Sequence, residues 1–228
     1  MHITELRLMT DCLVEQRNFY THTLGLPLLN ETEASMTVGV GATRLVFLQA
    51  EPEMHPFYHF AFNIPSSKFA LAKAWLALRC PLLEIDGANQ VNHESWNAQS
   101  FYFYDPAGNV VEFIARYNLP MGESGAFGSH DLLNVSEIGL VVDNVFATIE
   151  SIERSVGVKV WKEKSDTFTA MGDDNGLFIV AKSGRIWLMT DKPAEVHPFE
   201  MTIQGSASLH YKIADFPYHI NVVPQDQK

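Results

Sequence analysis

Apolar and polar positions alternate along residues 3–11 (ITELRLMTD) and again along residues 135–143 (VSEIGLVVD). Period two is the signature of a strand with one buried face. Both runs end in Asp and pass into a stretch whose apolar residues recur at helical spacing. In the later copy the stripe is Val145, Phe146, Ile149, Ile152 and Val156, closed by Gly157; in the earlier it is Leu13, Val14, Tyr20 and Leu24, closed by Gly25. Three strand-like runs follow each helix, near 27–32, 35–40 and 43–49, and near 158–164, 167–172 and 176–190. The pattern predicts a β-α-β-β-β unit in two copies.

A third unit fits between them. Residues 58–64 read as a strand, Pro65-Ser66-Ser67 as a helix start, and Pro81 as its stop. Strands are expected near 82–86, 99–104 and 110–116, with the turn Asp105-Pro106-Ala107-Gly108-Asn109 before the last. His197-Pro198-Phe199 repeats His55-Pro56-Phe57 and opens a fourth unit that the remaining chain is too short to complete. The Gly-rich stretch 121–129 reads as a linker. The expected organisation is a complete two-unit domain over 1–118 with the metal site, a linker over 119–132, and a third plus truncated fourth unit over 133–228 without one. The fold class is α+β, built of repeated βαβββ modules whose mixed sheets curve around a concave site.

Composition narrows the function. Of 228 residues 46% are hydrophobic, enough for a substantial core. The net charge of −11 comes without any cluster of Lys and Arg, so no nucleic-acid partner is expected. Trp75, Trp96, Trp161 and Trp187 therefore read as core or pocket walls rather than a stacking platform. No uncharged apolar run approaches about 18 residues, and the N-terminus lacks a signal-peptide pattern; the expectation is a cytoplasmic protein with no membrane partner. Cys12 and Cys80 fall in predicted helices and read as small core residues, not a disulfide.

Strand parity supplies candidate chemistry. Leu6 and Leu8 oppose Glu5, Arg7 and Met9; Phe60 and Phe62 oppose His59, Ala61 and Asn63; Val111 and Phe113 oppose Val110, Glu112 and Ile114. Glu5, His59 and Glu112 thus leave the apolar faces, at near-equal separations of 54 and 53 residues. Two carboxylates and an imidazole meeting in a partly dry groove call for a divalent cation, and the set suits iron(II), manganese, zinc or nickel. Three protein ligands would leave positions open for water and substrate. Arg7, on the face of Glu5, either meets an anionic substrate group or pairs with the acid. Glu137 repeats Glu5, but its partner position holds Met201, so the second half is expected to lack a metal.

The repeats, the segment Phe19-Tyr20…Leu24-Gly25-Leu26 and the segment Asp105-Pro106-Ala107-Gly108-Asn109…Glu112 resemble the vicinal oxygen chelate superfamily. That superfamily holds glyoxalase I, bleomycin and fosfomycin resistance proteins and extradiol dioxygenases. The resemblance implies metal ligands on the first strand of each paired module and on the last strand of the second, which match Glu5, His59 and Glu112. Val91-Asn92-His93, Phe101-Tyr102, Asp105-Pro106-Ala107-Gly108 and Glu112 together are similar to the extradiol signature, which implies catalytic roles for His93 and Tyr102. Two departures stand out. Glu5 occupies the place of a histidine, and the stretch Arg44-Leu45-Val46-Phe47 carries no fourth, glyoxalase-type ligand.

These readings imply a metal-dependent enzyme acting on a small oxygen-chelating molecule. Extradiol ring cleavage of a catechol is the first expectation; a glyoxalase-type lyase or isomerase, or a non-catalytic binding protein of the bleomycin resistance kind, is the alternative. The unfinished second half should cover its own first domain or pair in a homodimer.

Overall fold

Most of the expected strands form, in register with the expected faces. The computed structural model describes residues 1–123 and 125–225; position 124, inside the expected linker, and 226–228, at the end of the expected second region, lie outside the described residues. The first module holds β1 (Ile3–Thr10), α1 (Leu13–Asn18), β2 (Leu28–Thr32), β3 (Ser35–Val40) and β4 (Thr43–Gln49). The second holds β5 (His59–Ile64), α2 (Phe69–Ala77), β6 (Val91–His93), β7 (Ala98–Tyr104) and β8 (Val110–Arg116). The third holds β9 (Asn134–Val142), α3 (Val145–Ser155), β10 (Val160–Lys164), β11 (Phe168–Asp173) and β12 (Gly176–Lys182). The fourth keeps only strands, β13 (Phe199–Gly205), β14 (Leu209–Lys212) and β15 (Tyr218–Pro224).

Two differences have local causes. The strand expected near 82–86 is reduced to single bridges, Leu82 with Phe103 and Ile85 with Ala88, because Asp86 and Gly87 both take positive φ and turn the chain. The run expected to extend to 190 stops at Lys182. Beyond it Gly184 and Met189 also have positive φ, and residues 185–194 fold back as a small hairpin, with Trp187 N–H donating to the Lys192 carbonyl at 3.0 Å.

The modules pair in an order that differs from the expected one. One mixed sheet runs β14-β15-β13-β1-β4-β3-β2 and joins modules one and four; the other runs β10-β11-β12-β9-β5-β8-β7-β6 and joins modules two and three. Each sheet therefore draws strands from both sides of residues 119–132, and the unfinished fourth module covers the first through β1 and β13. The shared core explains why. Leu6, Leu8 and Phe47 of one sheet and Phe60, Phe62 and Phe113 of the other belong to one buried cluster, with Val145, Ile149 and Ile152 of α3 against it. Val14 and Phe146, expected in the helix stripes, are exposed instead.

Buried polar contacts tie module one to module two. Asp105 Oδ2 accepts from Gln16 Nε2, Tyr20 OH and Asn109 Nδ2, each at 2.8 Å, so the turn before β8 is fixed to the first helical segment. The other face of the second sheet carries a second cluster, in which Trp187, Met189 and Ala194 of the hairpin cover Tyr102, Val110 and Ile179. Lys192 Nζ pins that hairpin to the Gly108 carbonyl at 2.6 Å. No described helix is long and apolar enough to cross a membrane.

Candidate metal centre

Beneath the hairpin, one cross-strand row carries the chemistry. Tyr102 of β7 pairs with Glu112 of β8, Glu112 with Ala61 of β5, and Ala61 with Glu137 of β9. The small Ala61 leaves space between the two carboxylates. His59, two residues earlier on the same face of β5, leans into that space. Its Nε2 lies 3.6 Å from Glu112 Oε2 and 3.8 Å from Glu137 Oε2, and one ligand atom from each of the three residues falls within 4.8 Å of the others. All three side chains are buried.

Glu5 does not join them. It lies on β1 in the other sheet, between Arg7 Nη1 at 3.3 Å and Arg44 Nε at 3.4 Å. The parity of Glu5 is as expected, but parity is a property of one strand, whereas meeting at one ion requires neighbouring strands. The acid that meets His59 and Glu112 is Glu137, expected to lack a metal role because its repeat partner is Met201. A sequence signal for it did exist: Glu137 is the first-strand acid of the third module, the counterpart of Glu5, and β9 rather than β1 lies beside β5. Residues 133–228, expected to carry no metal site, thus contribute one of the three clustered side chains.

The charges at this centre are strongly perturbed. Burial, and then the charge of Glu137, push the Glu112 carboxyl up to about 7. Glu137 also suffers from burial, but the Arg116 guanidinium and His59 more than offset it, so its carboxyl lies below the ordinary range. Arg116 is buried, donates through Nη2 to Glu137 Oε1, and sets its guanidinium carbon 5.5 Å from the Trp96 ring and 5.4 Å from that of Trp161. Burial lowers the basicity of His59, yet Glu137 and Glu112 outweigh it and the net direction is upward.

The donor set fits a divalent cation. His59 Nδ1 lies 3.0 Å from the Val110 carbonyl, a contact that needs the proton on Nδ1 and turns the Nε2 lone pair toward both carboxylates. Three electron-rich atoms then face one point, and only a proton or a cation satisfies them. Metal–ligand bonds of about 2.1 Å place neighbouring ligands about 3.0–3.5 Å apart; the two His59 contacts, at 3.6 and 3.8 Å, are near that range, and the whole trio lies within 4.8 Å.

His93 and Tyr102 border the same centre. His93 Nε2 lies 3.8 Å from Glu112 Oε1 and 2.8 Å from Ser100 Oγ, and burial lowers its pKa, so it is neutral near pH 7. Burial, then the charge of Glu112, raise the Tyr102 hydroxyl well above its usual range, so it keeps its proton. The cavity in front has a volume of about 260 Å³; Trp96, Phe168, Trp187 and Arg185 contribute to its walls. Trp187 lies 4.9 Å from the His59 ring and occupies a notch over Gly139, where a Cβ would come within 2.7 Å of the indole. Gly139 is two residues from Glu137, so the absence of a side chain there lets the indole close one side of the centre. The sequence read Trp187 as a core or pocket wall, but it read the segment as strand and so did not show the hairpin that places it here.

A family model described as the Glyoxalase/Bleomycin resistance protein/Dioxygenase superfamily matches residues 2–113. Among solved structures, the chain is similar to a candidate dioxygenase from Bacillus subtilis subsp. subtilis str. 168, with a TM-score of 0.63 and 14% identity over 99% of this chain and 86% of that one. It is also similar to a mutant of glyoxalase I from Zea mays, with a TM-score of 0.61 and 12% identity over 98% of this chain and 92% of that one. At such identities the likeness is one of fold. No curated protein matches the chain by sequence.

Proposed function

The chain belongs to the glyoxalase/bleomycin resistance protein/dioxygenase superfamily, and from that premise we propose that it is a metal-dependent enzyme whose ion is held by His59, Glu112 and Glu137. The observation that carries this reading is the meeting of those three side chains, buried, at the floor of a cavity that also presents a neutral His93 and a protonated Tyr102. A divalent ion bound there supplies Lewis-acid charge and orients two adjacent oxygens of a substrate.

The chain's own groups supply the proton chemistry. A catechol must give up protons to chelate, and His93 Nε2 accepts one while the Ser100 hydroxyl, 2.8 Å away, turns from donor to acceptor and holds the protonated ring. The Tyr102 hydroxyl remains a donor and stabilises negative charge on a substrate oxygen. Trp187 and the hairpin exclude water from one side, which strengthens each of these contacts. Ring-cleaving dioxygenation of a catechol is therefore the first assignment. The cavity favours it, because about 260 Å³ lies below the usual range of about 300–1,000 Å³ for drug-sized ligands and suits a single ring.

One observation favours a glyoxalase-type lyase or isomerase as the second reading: two carboxylates and a single histidine lower the charge on the ion relative to a two-histidine set. The test is spectroscopic. Protein loaded separately with iron(II), manganese, zinc or nickel is offered a catechol with and without oxygen, and a methylglyoxal–thiol adduct. A ring-fission chromophore that requires oxygen supports the first reading; oxygen-independent thioester formation supports the second. Ligand binding with no metal and no turnover would replace both with a binding role.

A further inference from the structure

One wall of the cavity is a graded series of flat groups. It begins at His93, beside Glu112, and the His93 and Trp96 rings stack with centroids 5.6 Å apart and planes 25° apart. Trp96 continues to Phe168 at 6.3 Å and 27°. The series ends at Arg185, whose guanidinium carbon sits 4.7 Å from the centre of the Phe168 ring. Trp187, Leu188 and Ile179 also line the cavity. The cavity thus presents two kinds of charged group, the carboxylates with His59 and a guanidinium, joined along one aromatic wall.

Arg185 has no carboxylate within 4.0 Å among the described residues; Nη1 donates only to the adjacent Ile186 carbonyl, at 3.2 Å. The buried acid Glu137 is already paired with Arg116. Arg185 is half-buried, so its charge is partly stripped of water, and its guanidinium lies against the Phe168 ring. A half-buried guanidinium lining a cavity is suited to bidentate recognition of a carboxylate.

We propose that Arg185 is the specificity-determining residue of this centre and that the cavity takes a small planar aromatic carboxylate, with its carboxylate on Arg185, its ring along Trp96 and Phe168, and its other end toward His59 and Glu112. The proposal rests on the functional reading above only for what lies at that other end. A neutral ring of the same size leaves the guanidinium unpaired and binds more weakly.

Quenching of tryptophan fluorescence reports binding without turnover. With metal-loaded protein, 3,4-dihydroxybenzoate should bind at least tenfold more tightly than unsubstituted catechol, the size expected of a hydrogen-bonded charge pair. Arg185→Gln should erase that difference, and Arg185→Lys should restore part of it, because charge remains while the fork is lost. Thermal melts check that both variants fold. In chelator-treated protein, benzoate should still bind more tightly than benzamide, again only with Arg185 present. Equal affinity for acid and neutral partner, or a preference that survives Arg185→Gln, overturns the proposal even if the protein holds a metal. A protein that holds no metal yet keeps an Arg185-dependent preference for benzoate would overturn the enzymatic reading and leave this proposal standing.

Discussion

Removing metal should make the protein less stable as pH rises, and Glu112 sets the size of the effect. Its carboxyl is raised from an ordinary value of 4.5 to about 7, first by burial and then by the charge of Glu137. A raised acid pKa means that the folded state holds the proton more tightly than the unfolded chain does. The associated stability is fully present below about pH 4.5 and is lost as pH climbs through about 7. At about 1.4 kcal/mol per unit, the loss amounts to about 3 kcal/mol. For a chain of this length that corresponds to roughly 6–12 °C in Tm. The assay is thermal unfolding in chelator at steps from pH 5 to pH 8, for the wild type and for Glu112→Gln, whose neutral amide cannot ionise. Wild-type Tm should fall relative to the variant across that window. A divalent ion should reverse the trend, since it replaces the proton and binds better as pH rises. Parallel curves for the two proteins in chelator would refute the claim that Glu112 carries a buried, unfavourable charge.

Two further expectations follow from neighbouring contacts. Glu137→Ala strips Arg116 of its partner in a buried position and should cost about 3–5 kcal/mol in chemical denaturation, whereas Glu137→Gln, which still accepts from the guanidinium, should cost clearly less; equal losses would mean that Arg116 finds another acceptor. Gly139→Ala places a Cβ within 2.7 Å of the Trp187 ring and should displace the indole, seen as a red-shifted, more quenchable tryptophan emission with a stability loss of about 1–3 kcal/mol; unchanged emission would show that the notch is not needed.

Much of this architecture was legible because it rests on local periodicity. The alternation in β1, β5, β8 and β9 assigned faces correctly, and Leu6, Leu8, Phe60, Phe62, Val111 and Phe113 are buried as expected. The two residues on the second module's own strands, His59 and Glu112, were found the same way. Which module pairs with which was not legible, since an antiparallel β5–β9 contact and a β5–β1 contact bury equally apolar faces. The pairing is decided by the non-local core, and through it the third acid became Glu137 rather than Glu5. Arg185, and the placement of Trp187 over the cluster, were hidden for a different reason. Their hairpin turns on the positive φ of Gly184 and Met189, and the second of these has no glycine to announce it.

Metal titration distinguishes Glu137 from Glu5 as the third acid of the cluster. Metal-free wild type and four variants, His59→Ala, Glu112→Gln, Glu137→Gln and Glu5→Gln, are titrated by calorimetry with zinc or manganese. The account predicts one equivalent bound by the wild type and by Glu5→Gln, whose acid only bridges Arg7 and Arg44, and at least tenfold weaker binding in the other three. Full affinity in Glu137→Gln together with loss in Glu5→Gln, or no binding by the wild type, would contradict it.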